Sequence, residues 1–201
     1  TRIISCHIGS GASLCAIKDG KCVATSMGLT PLGGVMMGTR SGDMDPSVFY
    51  YLCSCTGKSA EEVYSILNKE SGILGVSGVS NDTRDVEAAY ERGEERSKLA
   101  IALYARRVAD YIGQYYVRLG GADLILFSAG VGENAPIYRA EILRRVEEAL
   151  GLAIDYQKNE EVRGVEALIS KPESKVKVAV LPTDEEVMIA RDCMKRINNE
   201  L

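Results

Sequence analysis

The chain of 201 residues has no tryptophan, two phenylalanines and one histidine, His7. Any Ser-His-Asp or Cys-His arrangement would therefore rest on His7 alone. A lone histidine in a strand-like run is more often a satisfied core residue than a catalyst. No apolar run reaches the roughly 18 residues that a membrane-crossing helix requires, so no membrane partner is expected. Residues 1–6 show no charged leader followed by an apolar stretch and cleavage site, so they do not read as a signal peptide. They also lack an initiator methionine and enter a strand-like run at Arg2, so the chain is expected to be part of a longer one. Basic residues number 24 against 28 acidic, a net charge of −4, and no basic stripe stands out, which argues against a nucleic-acid partner. Gly-Lys-Ser/Thr does not occur, which excludes a Walker A loop. Internal repeats and low-complexity tracts are absent too.

What is present is ordinary globular composition. Apolar residues make up 46%, enough for a folded core in one domain or two small ones. The six cysteines are sparse, and several lie in apolar strand-like runs, so they read as reduced thiols in the cytoplasm. Cys53-Ser-Cys55 has no second Cys/His pair to complete a zinc site.

Residues 2–7, 13–18 and 21–26 read as three strands. Asp19-Gly20 is a two-residue hairpin signal between the last two. Residues 27–46 are rich in Gly, Met, Thr and Pro with little periodicity. Such a stretch is functional or disordered, and its apolar content favours function. Ser59-Ala-Glu-Glu62 has capping-box spacing and opens a helix to about residue 69. Residues 71–80 read as loop. Residues 94–119 carry a helical apolar stripe that Gly120-Gly121 stops. Residues 123–128 form a near-continuous apolar run, the mark of a strand buried on both faces. A glycine loop follows over 129–134, then a helix with Pro136 in its first turn, running to about residue 150. Residues 175–181 are another buried strand, and Thr183 or Asp184 caps a last helix over 185–197. The expected fold is α/β with a ribonuclease-H-like layout: a mixed sheet of three antiparallel then parallel strands, with flanking helices.

The residues that can carry chemistry have competing readings when taken singly. Gly9, Ser10 and Gly11 expose backbone N–H groups that suit phosphate oxygens, or simply close a hairpin. Gly130-x-Gly132 follows a strand and precedes a helix, where nucleotides bind in open α/β sheets. It lacks the third glycine of a dinucleotide fingerprint, since residue 135 is Ala, and is otherwise a plain strand–helix turn. Arg40 stands near Asp43 and Asp45, which would hold it ready for phosphate or carboxylate, or pair with it structurally. Asp82, Thr83 and Arg84 suit a ribose or base, or start a surface helix. Glu185 and Glu186 complement a helix dipole, or help hold a hydrated magnesium ion.

Taken together the segments form an ordered set. His7-Ile-Gly-Ser-Gly-Ala-Ser13, Thr25-Ser-Met-Gly-Leu-Thr-Pro-Leu32, Met36-Met-Gly-Thr-Arg-Ser-Gly-Asp43, Phe127-Ser-Ala-Gly-Val-Gly-Glu-Asn134 and Pro182-Thr-Asp-Glu-Glu186 occur in sequence. The chain closely resembles the carboxyl-terminal half of the acetokinase family, within the acetate and sugar kinase, heat-shock cognate and actin superfamily. The resemblance covers essentially all 201 residues, and the block at 36–43 is highly specific. Butyrate kinases lack this block as written, whereas propionate kinases carry nearly the same blocks.

The resemblance implies phosphoryl transfer between ATP and acetate, giving ADP and acetyl phosphate with Mg²⁺, or Mn²⁺ in its place. By family pattern, His7, Ile8, Gly9, Ser10 and Gly11 line the ATP phosphates. Asp82, Thr83 and Arg84, with Gly130, Val131, Gly132, Glu133 and Asn134, hold ribose and adenine. Arg40 stabilises the phosphoryl group in flight, and Glu185 helps place the metal. Residues 1–201 are then the nucleotide-binding and dimerisation domain of a two-domain homodimeric kinase. The acyl-binding and remaining catalytic groups belong to the absent amino-terminal domain, so the isolated half is expected to be inactive. A propionate kinase and a non-catalytic nucleotide-binding module are the alternatives. Ser10 and Asp184 replace usual Asn residues and Ala135 a usual Ser, which implies tuned nucleotide affinity and not loss of function.

Overall fold

The computed structural model describes residues 1–198; residues 199–201, the end of the expected 1–201 domain, lie outside the described residues. The chain opens with β1 (Arg2–Ile8), β2 (Ala12–Lys18) and β3 (Lys21–Thr25). Asp19 and Gly20 both have positive φ, 49° and 77°, the backbone twist that a two-residue hairpin turn requires. Then come α1 (Pro46–Thr56), α2 (Ala60–Lys69), α3 (Gly72–Ser77), α4 (Thr83–Glu91) and α5 (Glu95–Leu119). The last part is β4 (Leu124–Ser128), α6 (Ala129–Asn134), α7 (Pro136–Leu150), α8 (Tyr156–Glu161), β5 (Ala167–Leu168), β6 (Lys177–Val180) and α9 (Glu185–Ile197).

Among the described residues the strands form one sheet in the order β3-β2-β1-β4-β6-β5. β1, β2 and β3 pair antiparallel, while β1–β4 and β4–β6 pair parallel. The expected mixed sheet is therefore present, extended by the short antiparallel edge strand β5. Ile4, Cys6 and Ile8 of β1, Leu14 of β2, Ile125 and Phe127 of β4, and Val178 and Val180 of β6 are buried. The long α5 packs across β1 and β2 and against α7, and its buried stripe includes Ile101, Tyr104, Val108 and Ile112.

Three expectations need correction. Residues 123–128 and 175–181 do not form strands fully buried on both faces: in β4 and β6 buried positions alternate with half-buried ones. Residues 71–80 contain helix α3, and residues 129–134 form helix α6 in place of a glycine loop. Both short helices are held by distant groups. The first N–H groups of α3 reach the loop backbone, Ile73 N to Met37 O and Leu74 N to Gly38 O, each 2.9 Å. Its last carbonyls accept from Arg96 on α5, at 2.9 Å from Val76 O and 3.0 Å from Gly75 O. Arg139 on α7 does the same for α6, donating to Gly132 O and Glu133 O at 2.9 and 3.0 Å. Satisfying these end groups offsets the poor helix propensity of glycine.

Residues 27–45 carry no helix or strand, yet Val35, Met36 and Met37 are buried. The segment is tied down through Asp43. Its Oδ1 accepts from Gly34 N at 2.7 Å, and its Oδ2 from the Tyr111 hydroxyl of α5 at 2.5 Å. All six cysteines are free thiols; Cys6 is buried and Cys15 half-buried, while Cys22 is exposed on the edge strand β3. Cys53 and Cys55 lie on α1, and among the described residues no group of three His, Cys, Asp or Glu could hold a metal ion.

Candidate functional site

Because β1 and β4 run parallel with His7 opposite Ser128, the segments that follow them meet at one edge of the sheet. After β1 the chain turns through Gly9-Ser10-Gly11, with Gly9 N bonded to Gly11 O at 2.9 Å. A Cβ on Gly9 would lie 3.6 Å from Ala129 Cβ, so the glycine lets the turn approach α6 closely. A Cβ on Gly11 would stand 3.6 Å from Arg40 Nη1, so the guanidinium lies against this turn. Arg40 does not pair with Asp43 or Asp45, contrary to the expectation. Asp43 anchors the loop, Asp45 caps α1 through Ser47 N at 2.8 Å, and Arg40 Nη1 instead lies 3.3 Å from Met37 Sδ. Its remaining N–H donors can serve a ligand.

Two clefts flank the glycine turn and share Gly9, Ser10 and Gly130. The larger, about 790 Å³, also holds His7, Gly11, Arg40, Glu133, Thr183 and Glu185. His7 Nδ1 lies 3.1 Å from Ser128 Oγ, and His7 Nε2 lies 3.9 Å from Glu185 Oε1. Glu185 heads α9, and Asp184 caps that helix by accepting from Val187 N at 2.9 Å. Glu133 Oε1 accepts from Ala129 N at 2.7 Å and from Thr183 N at 3.0 Å. It therefore ties α6 to the segment bearing Glu185 and lies in the larger cleft, not beside Asp82.

The smaller cleft, about 540 Å³, brings Asp82, Thr83, Arg84, Val131 and Asn134 together as expected. Asp82 caps α4 by accepting from Arg84 N at 2.9 Å, and its Oδ2 lies 2.5 Å from Arg84 Nη2. Hydrogen bonds from Arg84 hold the Asp82 carboxyl down at about 2. Ile8 and Gly132 do not face either cleft. Ile8 is a core residue, and Gly132 is buried where a Cβ would meet Phe127 C at 3.4 Å. Ser10 and Ala135, expected to depart from the family pattern, line this cleft, and Asp184, the third such position, lines the larger one. Asn81 and Glu87 also line the smaller cleft, and sequence reasoning missed both. Glu87 has no local signal, because it looks like one more acid on an amphipathic surface helix.

The arrangement can seat a phosphate chain over the glycine turn, with a cation from Arg40 on one side and the Glu185 carboxylate on the other. The sequence model described as the Acetokinase family matches residues 1–191. The chain belongs to the acetokinase family. It is 55% identical over 193 residues to the acetate kinase of Macrococcus caseolyticus, covering 96% of this chain and 48% of that protein. With the acetate kinase of Thermotoga maritima the identity is 54%, covering 95% and 48%. The crystal structure of Porphyromonas gingivalis acetate kinase superposes with a TM-score of 0.93 at 50% identity, covering 97% of this chain and 49% of that one. A propionate kinase from Francisella tularensis gives 0.87 at 42% identity, covering 94% and 47%. The chain thus spans about half the length of the curated relatives it matches. These acetokinase structures share the fold of this chain over nearly all its length.

Proposed function

We propose that this chain is the nucleotide-binding half of a kinase that moves a phosphoryl group between ATP and acetate. The observation that carries the reading is the position of Arg40 against the Gly9–Gly11 turn, in one cleft with Glu185. Phosphoryl transfer asks mainly for positioning and charge neutralisation. The turn's N–H groups take phosphate oxygens, and Arg40 faces the group in transit. Asp82, Thr83, Arg84, Val131 and Asn134 hold ribose and base in the adjoining cleft.

The donor set also bears on the metal. With no closed cluster of three ligating side chains among the described residues, Glu185 is a single-carboxylate site. That suits a hydrated Mg²⁺ or Mn²⁺ completed by phosphate oxygens and water. When bound there, the ion neutralises phosphate charge. Acetate is taken as acyl substrate from the relatives' names. Propionate differs by one methylene, worth about 1–3 kcal/mol, so the ratio of kcat/KM values for the two acids decides between them. The same reading makes residues 1–201 one domain of a larger cytoplasmic subunit and the assembly a homodimer. Among the described residues no helix is long and apolar enough to cross a membrane. Exposed Leu29, Tyr50 and Tyr51 are side chains that a subunit contact would cover.

The test is the native subunit mass together with hydroxamate formation from acetate and MgATP. A subunit near twice this chain's mass, with activity, supports the kinase. A subunit of this size that binds ATP but forms no hydroxamate would replace it with a nucleotide-binding module.

A further inference from the structure

Glu87 sits one turn into α4, and its carboxyl enters the cleft shared by Asp82, Arg84 and Asn134. One oxygen, Oε1, is buried without a hydrogen-bond partner among the described residues. A buried carboxyl oxygen left unpaired in a ligand-sized cleft calls for a donor or acceptor from outside the chain. We infer that Glu87 reads the purine base, serving adenine as a neutral acid and guanine as a carboxylate, so that base preference follows its protonation state. The inference rests on the nucleotide reading proposed above.

The chemistry is fixed by the two bases. The Watson–Crick edge of adenine offers an N1 acceptor beside an N6 amino donor, which matches the O–H and C=O of a neutral carboxylic acid. Guanine offers two donors side by side, N1–H and the N2 amino group, which match the two acceptors of a carboxylate. The surroundings place the carboxyl between these states. Burial, the Glu91 charge one turn along α4 and Glu160 of α8 push it up, against Arg163 and Arg139, to about 7. Arg139 of α7 is committed to carbonyls of Gly132, Glu133, Asn159 and Val162, so it gives Glu87 no direct bond. The Tyr138 hydroxyl of α7 is also buried and unpaired; Asp82 and Arg84, at the cleft wall, are paired with each other.

The experiment is calorimetric titration of the full protein with ADP, GDP and inorganic tripolyphosphate at pH 6, 7 and 8. The same titrations are run on Glu87→Gln, whose amide is a fixed donor–acceptor pair. The two nucleotides carry the same phosphates, so the ratio of their Kd values isolates the base. The competent fraction of Glu87 changes about tenfold for each base between pH 6 and 8. The preference for ADP over GDP is therefore expected to fall by up to about a hundredfold in the native protein and to stay flat, favouring ADP, in the variant. A ratio independent of pH in the native protein, with both nucleotides binding more tightly than tripolyphosphate, overturns the role of Glu87 and leaves the nucleotide site standing. ADP and GDP binding no better than tripolyphosphate at every pH would remove the base site itself, and both readings with it.

Discussion

Among the described residues Arg40 pairs with no carboxylate, and it lies against a turn made of glycine and serine. A guanidinium so placed contributes most when charge builds on a transferring group, and little to holding the ground state. On the proposed kinase reading, Arg40→Ala in the full-length protein is therefore expected to lower kcat by about a thousandfold while nucleotide Kd changes little. Near-normal kcat would remove the residue from catalysis. Glu87 leads to a different kind of prediction. Its folded-state pKa is raised from 4.5 to about 7, so folding disfavours its charged form. The resulting destabilisation is absent below pH 4.5, grows as pH rises and is complete above about 7. Glu87→Gln should thus raise the melting temperature at pH 8, with the difference vanishing near pH 4. Equal shifts at both pH values in a calorimetric scan would contradict the assignment.

Among the elements, those with local signals were readable. Ser59 and Glu62 exchange hydrogen bonds as the capping box requires, at 2.8 and 3.2 Å. α5 ends at Gly120 in the left-handed region, and α7 begins at Pro136. Helices α3 and α6 were not readable, because their ends are satisfied by Arg96 and Arg139, which local pattern cannot connect to them. The same limit applies to the site. The glycine turn, Arg40 and the Asp82–Arg84 pair are legible through the family resemblance, each having a competing reading when taken singly. Glu87 is not, since the cleft it lines is completed by Val131 and Asn134, more than forty positions away. The anchoring of the 27–45 segment is likewise tertiary, running through Tyr111 and Asp43. Burial and the bond to Asp43 keep the Tyr111 hydroxyl protonated well above its ordinary range. Tyr111→Phe removes one hydrogen bond to a charged group and is expected to cost about 1.5–3 kcal/mol in urea unfolding. Loosening this anchor should also reduce kcat more than it raises KM, because the loop carries Arg40. An unchanged kcat in a destabilised variant would make the bond purely structural.

At the scale of the whole molecule, one sheet organises everything else. Its antiparallel meander supplies the Gly9–Gly11 turn, and its parallel strands lead into α6 and the start of α9. Both clefts lie where these two parts meet, so neither part alone builds the site. This explains why no single motif identified the chain, while the ordered set did. It also explains why the buried arginine matters beyond its own contacts. Arg139 binds α6 to α8 through Asn159 and Val162, and so fixes the far wall of the smaller cleft.

The pairing of His7 with Ser128, 121 positions apart, has a consequence for biosynthesis. β1 leaves the ribosome before β4, and its hairpin with β2 forms from local contacts. Its other edge waits for β4, roughly 6 to 24 seconds at ordinary elongation rates of about 5–20 residues per second. During that interval an apolar strand edge stands open to any neighbouring chain. The β1 edge thus stays open to misassembly until β4 arrives, and the two clefts take shape only after this pairing closes.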